Sequence, residues 1–197
     1  MVYQPIMNEV KIIENAVSPM FLEYVRFQMQ ESENWSWQYP KGAHFSKRHP
    51  KLTMIDGTSQ SPEVERLAGI AMSLFLNIYE KGLQGKVYPA LLWAGESIKD
   101  KHREDNTHTD HMDDFPKEMK VLKILGVLNS DWKQEWGGGF TWNGKTYYAK
   151  PGWFYLFDPR VPHRADDILC DEKRIAIDYT VKAITYHQQT KTSEIKI

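Results

Sequence analysis

The sequence predicts a mainly β fold with flanking helices, the helices gathered in the N-terminal part. Three observations carry this. Two Ser-Pro dipeptides before residue 85 each open a segment with helical apolar spacing. After Gly85 the chain breaks into short runs rich in β-branched and aromatic residues, separated by Gly, Pro, Asn and Asp. No helical period returns between those runs, which excludes a βαβ sheet and favours an antiparallel sandwich or barrel.

The first element is a short strand within residues 8–14, NEVKIIE. Ser18 then serves as N-cap with Pro19 at the first helical position, and Phe21, Val25 and Met29 give that helix an apolar face. Residues 31–60 are polar and rich in Ser, Gly, Pro and aromatics, and read as a long irregular segment, either a functional loop or a lid. Its His44 and His49 have no carboxylate at ligand spacing and read as surface residues. Ser61-Pro62 repeats the start signal, and Val64, Leu67, Ile70, Ala71, Leu74 and Ile78 continue at helical spacing to an end near Gly82. Residues 1–85 are therefore expected as mainly helical support. Residues 86–184 form the β core, within one domain spanning 1–197.

The runs of that core are VYPALLWAG, KVLKILGVLN, GFTWNG, KTYYAK, GWFYLFD and RIAIDYTVKA. Asn143-Gly144 reads as a tight hairpin turn. In GWFYLFD both faces are large and apolar, Trp153, Tyr155 and Phe157 on one, Phe154 and Leu156 on the other. Such a strand is covered on both sides, as in a double-sheet jelly roll flanked by helices.

The net charge is −1, so no basic excess points to a nucleic acid. The one cysteine, Cys170, excludes an internal disulfide and a cysteine zinc cage, and suits an intracellular, cytoplasmic setting. The opening MVYQPIMNEV lacks the pattern of a signal peptide, and no apolar run reaches the roughly 18 residues of a membrane span. A soluble protein is expected. The oligomeric state is not legible.

Chemistry concentrates in THTDHMDDFP, residues 107–116, which holds two overlapping His-x-Asp copies. His108 and Asp110 lie two apart and project from one face of an extended chain; His111 and Asp113 project from the other. The β-branched Thr107 and Thr109 suit a strand, and Pro116 marks a departing loop, so the first pair is favoured and the second stays as the alternative. Two histidines and one carboxylate on one face of a metal leave open positions, the donor set of non-haem Fe(II) oxygenases. Only His163 and His187 follow His111. His187 lies in a polar tail, so His163, after GWFYLFD, is the candidate third ligand. In the last strand Arg174, Ala176, Asp178 and Thr180 share a small polar face that leaves room for a ligand. Arg174 at its end is either a carboxylate anchor or a water-facing edge residue.

His108-x-Asp110, LNSDWKQEWGGGF, KPGWFYLFDPRVPHRADDI and Arg174, in this order, resemble the 2-oxoglutarate- and Fe(II)-dependent oxygenases, and most of all their prolyl-4-hydroxylase-like branch. The match spans roughly residues 87–182, and VKIIENAVSPMFLEYV resembles the family's opening strand and helix. One departure is Gly137-Gly138-Gly139-Phe140, where the family's acidic residue is missing. The resemblance implies a double-stranded β-helix, with Fe(II) on His108, Asp110 and His163 and the far carboxylate of 2-oxoglutarate on Arg174. Thr180 and Tyr88 are candidates to hydrogen-bond that co-substrate, and ascorbate is a candidate helper. The implied reaction hydroxylates a C–H bond and releases succinate and CO2. The implied substrate is a prolyl residue of a peptide or protein, although relatives on this fold also act on other side chains, small molecules and nucleobases. The aromatic-rich 31–60 segment and the Phe115–Met119 loop are candidate lids. Two other classes remain: a cupin-like protein that binds metal and ligand without turnover, and a structural β-sandwich. The second would bury histidines and an aspartate without partners, at a cost.

Overall fold

The structure, a computed structural model, describes residues 5–38, 49–56, 61–110, 115–116 and 119–184. Both expected helices form where their caps stand. Helix α1 is Pro19–Gln30, and Ser18 Oγ accepts from Phe21 N at 3.2 Å. Helix α2 is Pro62–Gly82, and Ser61 Oγ accepts from Val64 N at 3.3 Å. Each cap satisfies an amide the helix cannot, worth about 1 kcal/mol. Leu22, Val25 and Met29 of α1 are buried, while Phe21 is only partly so.

Among the described residues ten strands build two antiparallel sheets. They are β1 (Lys11–Ile13), β2 (Ser36–Gln38), β3 (His49–Ile55), β4 (Val87–Lys99), β5 (Val121–Val127), β6 (Phe140–Trp142), β7 (Lys145–Tyr147), β8 (Phe154–Phe157), β9 (His163–Ala165) and β10 (Arg174–Ala183). The major sheet runs β1-β8-β5-β10-β4-β3-β2, and the minor sheet runs β7-β6-β9. This is the jelly-roll, double-stranded β-helix expected, with the two helices on the major sheet. Asn143 and Gly144 carry positive φ, 48° and 77°, and turn β6 into β7 as read.

The two faces of the major sheet do different work. Leu52, Ile124, Phe154, Leu156, Ile177, Tyr179 and Val181 join α1 and α2 in one apolar core. The opposite face of β8, Tyr155 and Phe157, packs with Phe140, Trp142 and Tyr147 of the minor sheet. All four residues of β8 are buried, as its two-sided pattern predicts. The register of β10 is fastened at its start by one side chain. Asn129 Oδ1 accepts from Ile175 N at 2.8 Å and Asn129 Nδ2 donates to Lys173 O at 3.0 Å.

Three expectations need correction. Residues 31–60 are not wholly irregular, because β2 and β3 extend the major sheet. Leu52 and Met54 are buried and Lys51 and Thr53 less so, an alternation hidden among Ser, Pro and aromatic residues. Residues 39–48 and 57–60, with His44, lie outside the described residues, as does the side chain of His49. The N-terminal part thus contributes three strands as well as helices. Finally, Thr107–Asp110 is not a strand: a single bridge at His108 ties it to His163.

Candidate metal centre

His108, Asp110 and His163 come together although 55 residues separate the two histidines. The cause is backbone pairing. His108 N donates to His163 O at 2.9 Å and His163 N returns the bond to His108 O at 2.8 Å. Asp110 N donates to Pro159 O at 2.9 Å, which holds the segment one step further on. The imidazole centroids are then 4.6 Å apart, and one donor atom from each of the three side chains lies within 4.8 Å of the others. The pairing partner of His108, β9, went unforeseen in the sequence because three residues are too short to show a period.

Both rings are oriented from behind. His108 Nδ1 lies 2.8 Å from Asn106 O, and His163 Nδ1 lies 2.9 Å from Val161 O. A carbonyl only accepts, so each Nδ1 carries a proton, which leaves each Nε2 to face Asp110. The two Nε2 atoms are each 3.6 Å from Asp110 Oδ1. Two imidazole nitrogens and a carboxylate oxygen turned on one point form a set that a divalent cation can bridge. A carbonyl behind each imidazole is the usual support of a metal-binding histidine. The residues present therefore fit a divalent metal. His111 and Asp113, the alternative pair, lie outside the described residues, as does His187.

Asp110 is held further by Lys123 of β5. Its Oδ2 is 3.1 Å from Lys123 Nζ, and the same ammonium is 2.7 Å from Asp178 Oδ2 on β10. Burial alone would raise the Asp110 carboxyl, but the charge of Lys123 and the contact with His163 outweigh it and hold the group well below the usual carboxylate range. Burial works against the Lys123 charge too, yet Asp110 and Asp178 keep its ammonium above the ordinary lysine value. Lys123 was missed in the sequence, though KVLKILGVLN carried the signal. Leu122 and Ile124 point to the helices, so the lysine between them must face inward.

Arg174 is 3% exposed. Its Nη1 donates to Gly138 O and, at 3.2 Å, to Gly139 O. Positive φ at Gly137 and Gly138 shapes that turn. The Arg174 Nε is buried without a partner among the described residues. Burial, then the like charge of Arg103, lowers the guanidinium to about 10, and Asp105 and Asp166 only partly offset this. The water-facing alternative is thereby removed. Thr180, 3% exposed, sits opposite both Lys123 and Trp93 on the inner face. Tyr88 is not brought to this group: it lies near the far end of β4, with Lys182 Nζ 5.1 Å from its ring centre. The inner face also carries Lys51, whose ammonium is 4.6 Å from the Trp93 ring centre. A separate cleft of about 680 Å³ lies beside Asn15–Pro19, Lys81 and Pro151–Gly152 and holds none of these residues.

No protein-family model and no curated protein sequence matches the chain. Solved structures do. A prolyl-4-hydroxylase of Pseudomonas putida superposes with a TM-score of 0.58 at 12% identity, over 89% of this chain and 92% of that one. A prolyl hydroxylase of Trichoplax adhaerens, solved with a fragment of the hypoxia inducible factor oxygen degradation domain, gives 0.55 at 17% identity, over 95% and 89%. HygX of Streptomyces hygroscopicus, solved with nickel and 2-oxoglutarate, gives 0.58 at 14%, over 88% and 82%. The chain has the fold of these 2-oxoglutarate-dependent oxygenases. At such identities the likeness is one of fold.

Among the described residues no helix is long and apolar enough to cross a membrane.

Proposed function

We propose that this protein is an Fe(II)- and 2-oxoglutarate-dependent dioxygenase that hydroxylates a C–H bond, with a prolyl residue of a peptide or protein as the first substrate to test. The observation that carries the reading is the pair of histidines fixed through Nδ1, with both Nε2 atoms turned on Asp110 Oδ1. That donor set holds a metal and leaves positions open on it. The buried guanidinium of Arg174 adds to it, since its unpartnered Nε suits the distal carboxylate of 2-oxoglutarate. The prolyl preference draws on the two prolyl hydroxylases of the same fold, and HygX, solved also with hygromycin B bound, keeps small molecules open as substrates.

His108, Asp110 and His163 would hold Fe(II). When bound, the iron couples the oxidative decarboxylation of 2-oxoglutarate by O2 to insertion of one oxygen atom into the substrate C–H bond; the other oxygen ends in succinate, and CO2 leaves. The chain's own residues orient and shield. The carbonyls of Asn106 and Val161 keep both imidazoles in one tautomer. Arg174 aligns the co-substrate along the inner face past Ala176, whose small side chain leaves space. Phe140, Tyr155 and Phe157 close the floor between the sheets and keep water away from it.

The test is aerobic incubation with Fe(II), ascorbate and 2-oxoglutarate, followed by measurement of succinate, against proline-containing peptides and then small molecules. Succinate that depends on His163 supports the reading. Metal and 2-oxoglutarate binding without any succinate, across all substrates, would favour the cupin-like alternative.

A further inference from the structure

We propose that Lys123 is a positioning residue for the metal: it reserves Asp110 Oδ2, so that Asp110 can give the metal only Oδ1. The inference rests on the metal site proposed above. A carboxylate beside a divalent ion can bind through one oxygen or through two. The choice matters here. One oxygen and two imidazoles leave three positions on an octahedral ion. A second oxygen from Asp110 would leave two, which a chelating co-substrate fills entirely.

The geometry separates the two oxygens. Oδ1 faces both Nε2 atoms at 3.6 Å, while Oδ2, which accepts no hydrogen bond among the described residues, lies in an ion pair 3.1 Å from Lys123 Nζ. Lys123 is itself held from three sides. Asp178 Oδ2 accepts from its ammonium at 2.7 Å. The Trp93 ring centre lies 5.4 Å from the same nitrogen. The strand places the stem, since Lys123 pairs with Thr180 of β10 and Phe157 of β8. The Trp93 ring leans over Gly95, where a Cβ would lie 2.3 Å from the ring edge. Lys123 is thus a fixed cation and not a swinging surface lysine. Its attraction to Oδ2 keeps the carboxylate from rotating toward the histidines. Asp178 anchors the lysine, so the relay runs Asp178 to Lys123 to Asp110.

Mn(II) reports on this without turnover, because the water molecules on it are counted from proton relaxation and from line broadening in 17O-enriched water. The arms are the full chain and the variants Lys123→Met, Lys123→Arg and Asp178→Asn, each checked for folding by circular dichroism. In Lys123→Met the bound-water signal per Mn(II) should fall by about one third, from three waters to two. Lys123→Arg should restore it, since a cation again holds Oδ2. Asp178→Asn should give an intermediate loss, and it decides the matter if Lys123→Met does not fold. An unchanged water count in Lys123→Met, or in Asp178→Asn where that variant decides, overturns the role of Lys123. Absence of Mn(II) binding in the unaltered chain would instead overturn the metal site itself.

Discussion

His108 and His163 face each other as a single cross-strand pair, each donating its backbone amide to the other's carbonyl, at 2.9 and 2.8 Å. Asp110 hangs from the same segment two residues on, its amide on Pro159 O. Removing any one imidazole or the carboxylate therefore leaves the backbone frame standing. His108→Ala, Asp110→Ala and His163→Ala should each weaken Mn(II) or Fe(II) binding by roughly 100-fold or more while the chain still folds. His111→Ala and Asp113→Ala should bind metal as the unaltered chain does. Equilibrium dialysis with metal analysis checks this, and the reverse pattern would move the site to the second His-x-Asp copy.

On the proposed function, Arg174→Ala removes the two-pronged partner of the co-substrate's far carboxylate in a buried place. The 2-oxoglutarate requirement should rise roughly 30-fold or more, with metal affinity unchanged. Arg174→Lys should be milder, because a charge remains while the planar fork is lost. The substitution also strips the Gly138 and Gly139 carbonyls of their donor, at about 1–3 kcal/mol of stability. Co-substrate titration and urea melts read the two effects separately.

Glu96 points from β4 into the helix-side core, 1% exposed, and neither carboxyl oxygen has a partner among the described residues. Burial pushes its carboxyl well above the ordinary value of 4.5. The unfolded chain therefore releases this proton first. Stability from this group is fully present below about pH 4.5 and declines as pH rises toward the folded value. Glu96→Met should raise stability at pH 8 by about 1–3 kcal/mol and flatten that decline. Urea melts at pH 5 and pH 8 measure it, and equal stabilisation at both would show that proton release plays no part.

Gly126 of β5 lies under the Phe154 ring, where a Cβ would come within 2.2 Å of a ring carbon. Phe154 is fully buried and cannot move aside. Gly126→Ala should cost about 1–3 kcal/mol, seen as a lower urea midpoint with an unchanged slope.

The parts of this molecule that were legible in the sequence are those with a local cause. Ser18-Pro19 and Ser61-Pro62 announced the helices, Asn143-Gly144 the hairpin, and the alternation of β10 its polar inner face. His108, Asp110 and His163 were legible as residue types at a spacing, but what joins them is a backbone pair across 55 positions, and no local pattern states that. Lys123 and Lys51 were overlooked because a lysine in a strand ordinarily marks a solvated face. Only the knowledge that both faces of this sheet are covered turns them inward. Tyr88 was chosen for its strand and not for its place along it, and β4 is long enough to carry its ends to different neighbourhoods.

Asn129 has a consequence beyond the two hydrogen bonds it makes to Lys173 and Ile175. Strand β10 carries two interleaved messages. Its odd positions, Ile175, Ile177, Tyr179 and Val181, fill the apolar core under the helices, and its even positions, Arg174, Asp178 and Thr180, serve the inner face. A slip of one residue would exchange the two sets at once, driving charges among the helices and rings into the site. The side chain of Asn129 acts as an index pin that sets where the reading of that strand begins. Loss or gain of a single residue between Ile175 and Asp178 would therefore be felt as a frame error written in space, with every side chain downstream delivered to the wrong address.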